Sequence, residues 1–181
     1  MGHKPAKWEH NQFAALPYRV RQGNVEFLFV TSRDTRQWIM PKGKPETRKG
    51  KPLPPHSVAK LEALQEAGVK GPTRKKPVGE FSYNMRVGDE SFVSANVHVF
   101  LLRVTEEKDE WKESDERKRM WLTVRQAKGR LLKNSHIPKN KHNRGKIEAL
   151  FANTEHEIIK AKTARRRPGK KLARRRSAAP R

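Results

Sequence analysis

The feature that most constrains this chain is the stretch 41–69, PKGKPETRKGKPLPPHSVAKLEALQEAGV. Pro54 and Pro55 bar helix before them, because proline lacks an N–H and restricts the residue it follows. Ser57 is the expected N-cap. Gly68 is suited to the left-handed conformation in which helices commonly end. A short helix is therefore fixed at both ends. At about 100° per residue, Glu62, Gln65 and Glu66 share one face. Leu61 and Leu64 point away from it and are expected to enter a core. Two carboxylates and an amide thus lie beside an inward-packing surface.

The rest of the chain supplies the sheet such a helix needs. Residues 12–20 (QFAALPYRV) and 25–32 (VEFLFVTS) read as strands around a turn at Gln22, Gly23 and Asn24. Residues 79–85 and 92–104 read as two more strands around a turn at Val87, Gly88 and Asp89. Val93, Ala95, Val97 and Val99 recur there at period two. Residues 119–122 (RMWL) form a short strand. Thr123 to Gln126 has capping-box form and opens a helix to about Leu132. A second helix is expected from Gly145 to about Lys162, with Ile147, Leu150, Phe151 and Ile158 or Ile159 as its apolar stripe. Strands and helices in this order make an α+β domain over residues 12–162, after a flexible lead at 1–11.

Composition bounds the function. The chain has no cysteine, which excludes disulfides and thiolate chemistry and suits a cytoplasmic setting. No apolar run approaches the ~20 residues that span a bilayer, so no membrane role is expected. Against 19 acidic residues stand 42 Lys and Arg, a formal charge of +23. An excess of 12 remains without the 11 basic residues that follow from Lys160 onward. Polyanionic partners are implied. Residues 163–181, with two Arg triplets and almost no apolar content, read as a disordered basic tail suited to non-specific nucleic-acid contact. No phosphate-binding Gly-rich loop and no nucleophilic Ser motif is present, and His136 and His142 lack partner ligands.

The 41–69 stretch resembles the Nudix box. The family pattern runs Gly, five residues, Glu, seven residues, Arg-Glu, apolar, any, Glu-Glu, any, Gly, apolar. Glu62, Glu66, Gly68, Val69 and Gly43 match it. Leu61 stands at the Arg, Gln65 at the first Glu of the pair, and the loop from Gly43 is about four residues longer. Glu46 is the acid nearest the early Glu of the pattern. Trp38-Ile39-Met40-Pro41-Lys42-Gly43 resembles the family's run before the box, and the closing Trp-bearing strand and helix fit as well. The resemblance covers roughly residues 12–132 and implies an α/β/α sandwich with a mixed sheet.

It also implies a chemistry, the hydrolysis of a diphosphate linkage with Mg²⁺ or Mn²⁺. A hard cation with oxygen ligands neutralises the phosphate oxygens, and a general base activates water. By resemblance Glu62 and Glu66 are catalytic, and Glu62, Gln65 and Glu66 hold the metal. Arg36, Lys42, Gly43 and Lys44 are expected at the substrate, beside Arg33 and the loop residues Arg48, Lys49 and Lys51. The run from Ala14 to Arg19 resembles bacterial members of the diphosphoinositol polyphosphate phosphohydrolase branch. A diphosphoinositol polyphosphate or a dinucleoside polyphosphate is the implied substrate. With Leu61 and Gln65 at their positions, a weak enzyme is expected, or a protein that binds nucleic acid or polyphosphate without turnover. Glu113, Asp115 and Glu116 offer a further carboxylate but read as a solvated charge cluster.

Overall fold

Two strands set the frame. β1 (Asn11–Arg21) and β2 (Asn24–Thr31) pair antiparallel around Gln22 and Gly23. Both turn residues have positive φ, 49° and 87°, the tight-turn geometry that follows strand twist. The computed structural model describes residues 10–87 and 91–166. Of the lead expected at 1–11, the tail expected at 163–181 and the turn expected at 87–89, residues 1–9, 167–181 and 88–89 lie outside the described residues, and Asn11 already belongs to β1.

Next come β3 (Trp38–Ile39), β4 (Lys42–Gly43), β5 (Thr47–Arg48) and β6 (Lys51–Pro52), then α1 (Pro55–Ala67) and β7 (Val69–Lys70). The chain continues through β8 (Gly79–Val87), β9 (Ser91–Arg103), β10 (Glu106–Glu107) and β11 (Arg119–Thr123). It closes with α2 (Val124–Lys133) and α3 (Lys141–Arg166). The main sheet is ordered β11-β2-β1-β9-β8 and is mixed, because β1 runs parallel to β9 and antiparallel to β2. β1 meets β2 only over Tyr18–Arg21, while its first half takes β4 through Phe13 and Ala14. The sheet therefore splits at its centre, and Lys42 and Gly43 lie in the split.

Period-two alternation sends Phe13 and Ala15 to one face of the sheet and Ala14 and Leu16 to the other. The first face is covered by α1, the second by α2 and α3. The result is an α/β/α sandwich, as the resemblance implies. Ala127, Leu131, Ile147, Leu150, Phe151 and Ile158 seal the second face. Of the two candidate isoleucines, Ile158 is buried and Ile159 is half exposed. The capping box of α2 forms: the Thr123 hydroxyl accepts from Gln126 N–H, and Gln126 Oε1 accepts from Thr123 N–H at 3.0 Å. No helix among the described residues is long and apolar enough to cross a membrane.

Three expectations fail. α1 begins at Pro55 with Pro54 in the cap position and no side-chain cap, so Ser57 is not the N-cap. A proline at the first helical position has its φ already set and loses no hydrogen bond there. Leu61 and Leu64 are not core residues; α1 buries Val58, Ala59, Ala63 and Ala67 and leaves both leucines half exposed. Small residues let the helix axis approach the sheet closely, and that turns the stripe at 59, 63 and 67 inward. Finally, α3 starts at Lys141, where Asn140 Oδ1 accepts from Asn143 N–H at 2.8 Å, and runs through Arg166. Residues 163–166, expected in the tail, are helical. Asn143 also clamps the edge strand, accepting from Ser82 N–H at 2.7 Å and donating to Ser82 O at 3.1 Å.

Candidate functional site

The carboxylates of α1 are placed by its two ends. At the far end Gly68 adopts φ 65°, ψ 25° and its N–H closes on Leu64 O. Two side chains bind the last carbonyls: Trp111 Nε1 donates to Glu66 O at 3.0 Å and Arg119 Nη1 to Ala67 O at 3.0 Å. The Arg119 guanidinium lies over the Trp111 ring, 4.4 Å from its centre. With the helix held so, Glu62 and Glu66, one turn apart, both face the split in the sheet.

Glu62 rests on Gly43. A methyl group on Gly43 would lie 1.8 Å from Glu62 Oε1. The glycine is required by the carboxylate above it, since any side chain would evict that group. Glu66 is buried, and each of its oxygens accepts one hydrogen bond, which leaves each a further lone pair. Lys42 N–H donates to its Oε2 at 3.1 Å, and Arg117 Nη2 to its Oε1 at 2.5 Å. The Lys42 ammonium lies 4.1 Å over the centre of the Tyr83 ring.

The electrostatics are those of a crowded acidic cluster. Burial, then the charges of Glu66, Glu46 and Glu113, push the Glu62 carboxyl up to about 7. Burial also raises Glu66, against the opposing pull of Arg117 and of the Lys42 amide and ammonium. Burial brings the Lys42 ammonium down to about 8, with Glu66 acting the other way.

The expected site residues divide into two groups. Glu62, Glu66, Lys42 and Gly43 converge. Gln65 turns aside: its Oε1 accepts from Lys112 Nζ at 3.2 Å and its carbonyl from Glu113 N–H at 3.2 Å. Lys44 is exposed next to Gly43. Arg36 lies against another segment, where its Nη1 donates to Glu116 O at 2.5 Å. Arg33 is spent on acids, 2.9 Å from Glu113 Oε1 and 3.1 Å from Glu116 Oε2. Arg48, Lys49 and Lys51 are exposed on a hairpin of their own, β5 and β6, that accounts for the added loop length.

The solvated reading of residues 113–116 fails at Glu113, which is buried, while Asp115 and Glu116 are exposed. Sequence reasoning missed Trp111 and Arg117 altogether. Their signal was a tryptophan set among charges in WKESDERKR, a composition unlike a plain surface loop.

Among the described residues no three His, Asp or Glu side chains form a ready-made metal cluster. The donor chemistry nonetheless fits a hard divalent cation: carboxylate oxygens at a glycine that leaves room for them, with Glu62 raised by its like-charged neighbours. A cation at Glu62 and Glu66 would relieve that repulsion.

A C. elegans Ap4A hydrolase superposes with a TM-score of 0.54 over 83% of this chain and 98% of that one, at 14% identity. A NUDIX hydrolase of Listeria monocytogenes superposes with a TM-score of 0.52 over 81% of this chain and 95% of that one, at 12% identity. The chain has the Nudix fold. In sequence the chain is similar to Nudix hydrolase 12, mitochondrial, of Arabidopsis thaliana, 36% identical over 106 residues, 57% of this chain and 50% of the relative. It is similar also to human diphosphoinositol polyphosphate phosphohydrolase 2, 33% identical over 116 residues, 63% of this chain and 58% of the relative. The chain thus spans about half the length of the curated relatives it matches. No family model matches it.

Proposed function

We propose that this Nudix domain hydrolyses a phosphoanhydride bond in a polyphosphorylated small molecule, with Mg²⁺ or Mn²⁺ as cofactor. The observation that carries this reading is the convergence of Glu62, Glu66 and Lys42 at Gly43, in the split of the sheet. Glu62 and Glu66 would hold the cation, which supplies charge neutralisation at the phosphate oxygens. Lys42 offers a second, fixed cation for a phosphate group. Glu62 stands within the cluster as the group that takes the proton of the attacking water. Gln65 and Arg36 are oriented elsewhere, so we assign them no contact with substrate.

Two substrate classes are supported by the similarity to relatives named for them: diphosphoinositol polyphosphates and dinucleoside polyphosphates. Phosphate release from both classes, with Mg²⁺ and with Mn²⁺, tests the reading on the intact chain and on Glu66→Gln. Metal-dependent release that Glu66→Gln abolishes supports it and identifies the class. A formal charge of +23 favours a second reading, a protein that holds nucleic acid or polyphosphate through its basic surface. That reading gains if no compound is hydrolysed and nucleic acid is retained in a salt-sensitive way. A cytoplasmic location suits either reading and is checked by imaging a tagged protein.

A further inference from the structure

The described residues contain three buried charged side chains, Glu66, Glu113 and Arg117, and all three belong to one cluster. Arg117 spends three donors there: Nη2 to Glu66 Oε1 at 2.5 Å, Nε to Glu113 Oε2 at 2.6 Å, and Nη1 to Thr31 O at 2.8 Å. Glu113 is held from its other side by Arg33, at 2.9 Å. Thr31 is the last residue of β2, and its own N–H and hydroxyl bind Lys118. The guanidinium therefore ties together a strand end, the segment before β11 and a carboxylate of α1.

Burying an ion costs several kcal/mol, and a close-packed apolar cluster would hold these three segments at least as well. The charge is explained by what it touches. On α1 itself positions 61 and 65 lie one turn apart and carry Leu and Gln, so the helix offers no ion pair there. A carboxylate that must face a cation still needs its second oxygen and its rotamer fixed from behind. Here that support comes from outside the helix, about fifty residues along the chain.

We propose that Arg117, anchored by Glu113, is the positioning residue that orients Glu66 toward the cation site; this rests on the cation site of the hydrolase reading above, not on turnover. Arg117 touches neither substrate nor cation and acts through Glu66. Arginine suits the task because its planar fork serves several acceptors at once, which an ammonium does not.

The test is Mn²⁺ binding to the metal-free protein, read from the electron paramagnetic resonance signal of free Mn²⁺, with thermal melts of each variant alongside. Loss of such a supporting partner commonly weakens metal affinity ~10–100-fold. Arg117→Met is expected in that range. Arg117→Lys should fall between it and wild type, and Glu113→Gln should weaken binding about tenfold while keeping the arginine. If Arg117→Met does not fold, the other two carry the test. Wild-type affinity in folded Arg117→Lys and Glu113→Gln overturns the proposal. So does tighter binding, which would mean that Arg117 merely repels the cation, and so does wild-type protein that binds no Mn²⁺. A protein that binds Mn²⁺ as expected but hydrolyses nothing refutes the hydrolase reading and leaves the role of Arg117 intact.

Discussion

The two faces of the sheet solve different problems with different residues. The face under α2 and α3 is filled by large side chains, among them Phe27, Phe29, Phe81 and Phe151, with Phe27 and Phe151 meeting edge to face at 5.7 Å. The face under α1 is closed on the helix side by Val58 and three alanines. The first arrangement gains the most from apolar area. The second gives up area for closeness: with alanines beneath it, α1 sits near enough for Glu62 to rest on the backbone of β4. Stability is concentrated on one side and geometry on the other. Substitutions on the two faces should therefore fail in different assays.

The sharpest test is Gly43→Ala. Its methyl group would displace the Glu62 carboxylate, and misplacing a reacting group by about 1 Å can cost ~100-fold in rate. We expect a loss of at least that order in phosphate release, with the melting temperature nearly unchanged. Phe151→Ala should do the reverse. A cavity on the helical face is expected to cost about 3–5 kcal/mol in a urea melt, with Mn²⁺ affinity as in wild type. If either variant moves both readouts equally, the division between the faces is wrong.

A smaller effect concerns pH. The folded protein holds the Glu62 proton to about 7, above the ordinary carboxylate value. The folded state thus binds more protons than the unfolded state between roughly pH 4.5 and 7. The contribution of Glu62 to stability is greatest below that window and is lost as pH rises through it. Glu62→Gln removes this dependence, so in metal-free protein it should raise the melting temperature at pH 8 more than at pH 5, by on the order of 2–4 °C. The smallest effect is expected from the double variant Leu61→Arg with Gln65→Glu. It adds a half-exposed one-turn ion pair worth about 0.3–0.5 kcal/mol, and Mn²⁺ affinity should change less than in Arg117→Lys. A large gain in affinity would show that α1, not Arg117, sets the carboxylate geometry.

Much of this was legible locally. Pro54 with Pro55 and Gly68 bounded the helix, alternation located the strands, and Thr123 with Gln126 announced α2. The same local view placed Glu62 and Glu66 on one face of α1. It misjudged burial on α1, because helical spacing alone does not say whether a leucine or an alanine stripe meets the sheet. The close approach made possible by Ala59, Ala63 and Ala67 decides that, and it is a tertiary property. Arg117 and Glu113 were hidden for the same reason. A charge looks solvated in sequence unless its partners are known: Glu113 and Arg117 pair locally, four residues apart, but what buries them is the reach of Arg117 to Glu66 in α1 and to Thr31 in β2. The role of Gly43 as a seat for Glu62 likewise depends on two segments meeting.

One feature of the loop before α1 reaches further than its size. β5 and β6 close on themselves around Lys49 and Gly50, with φ of 50° and 72°, and Leu53 N–H bonds Glu46 O at 2.8 Å at the base. The excursion begins and ends at nearly one place, so its length is decoupled from the position of Gly43 on one side and Pro54 on the other. Changes in its length or basic tip beyond Glu46 are therefore expected to leave Gly43 and Pro54 in place, while Glu46 at its base still acts by charge on Glu62. The sequence of the tip can then vary, in evolution or by design, while the frame that holds Gly43 and α1 is kept.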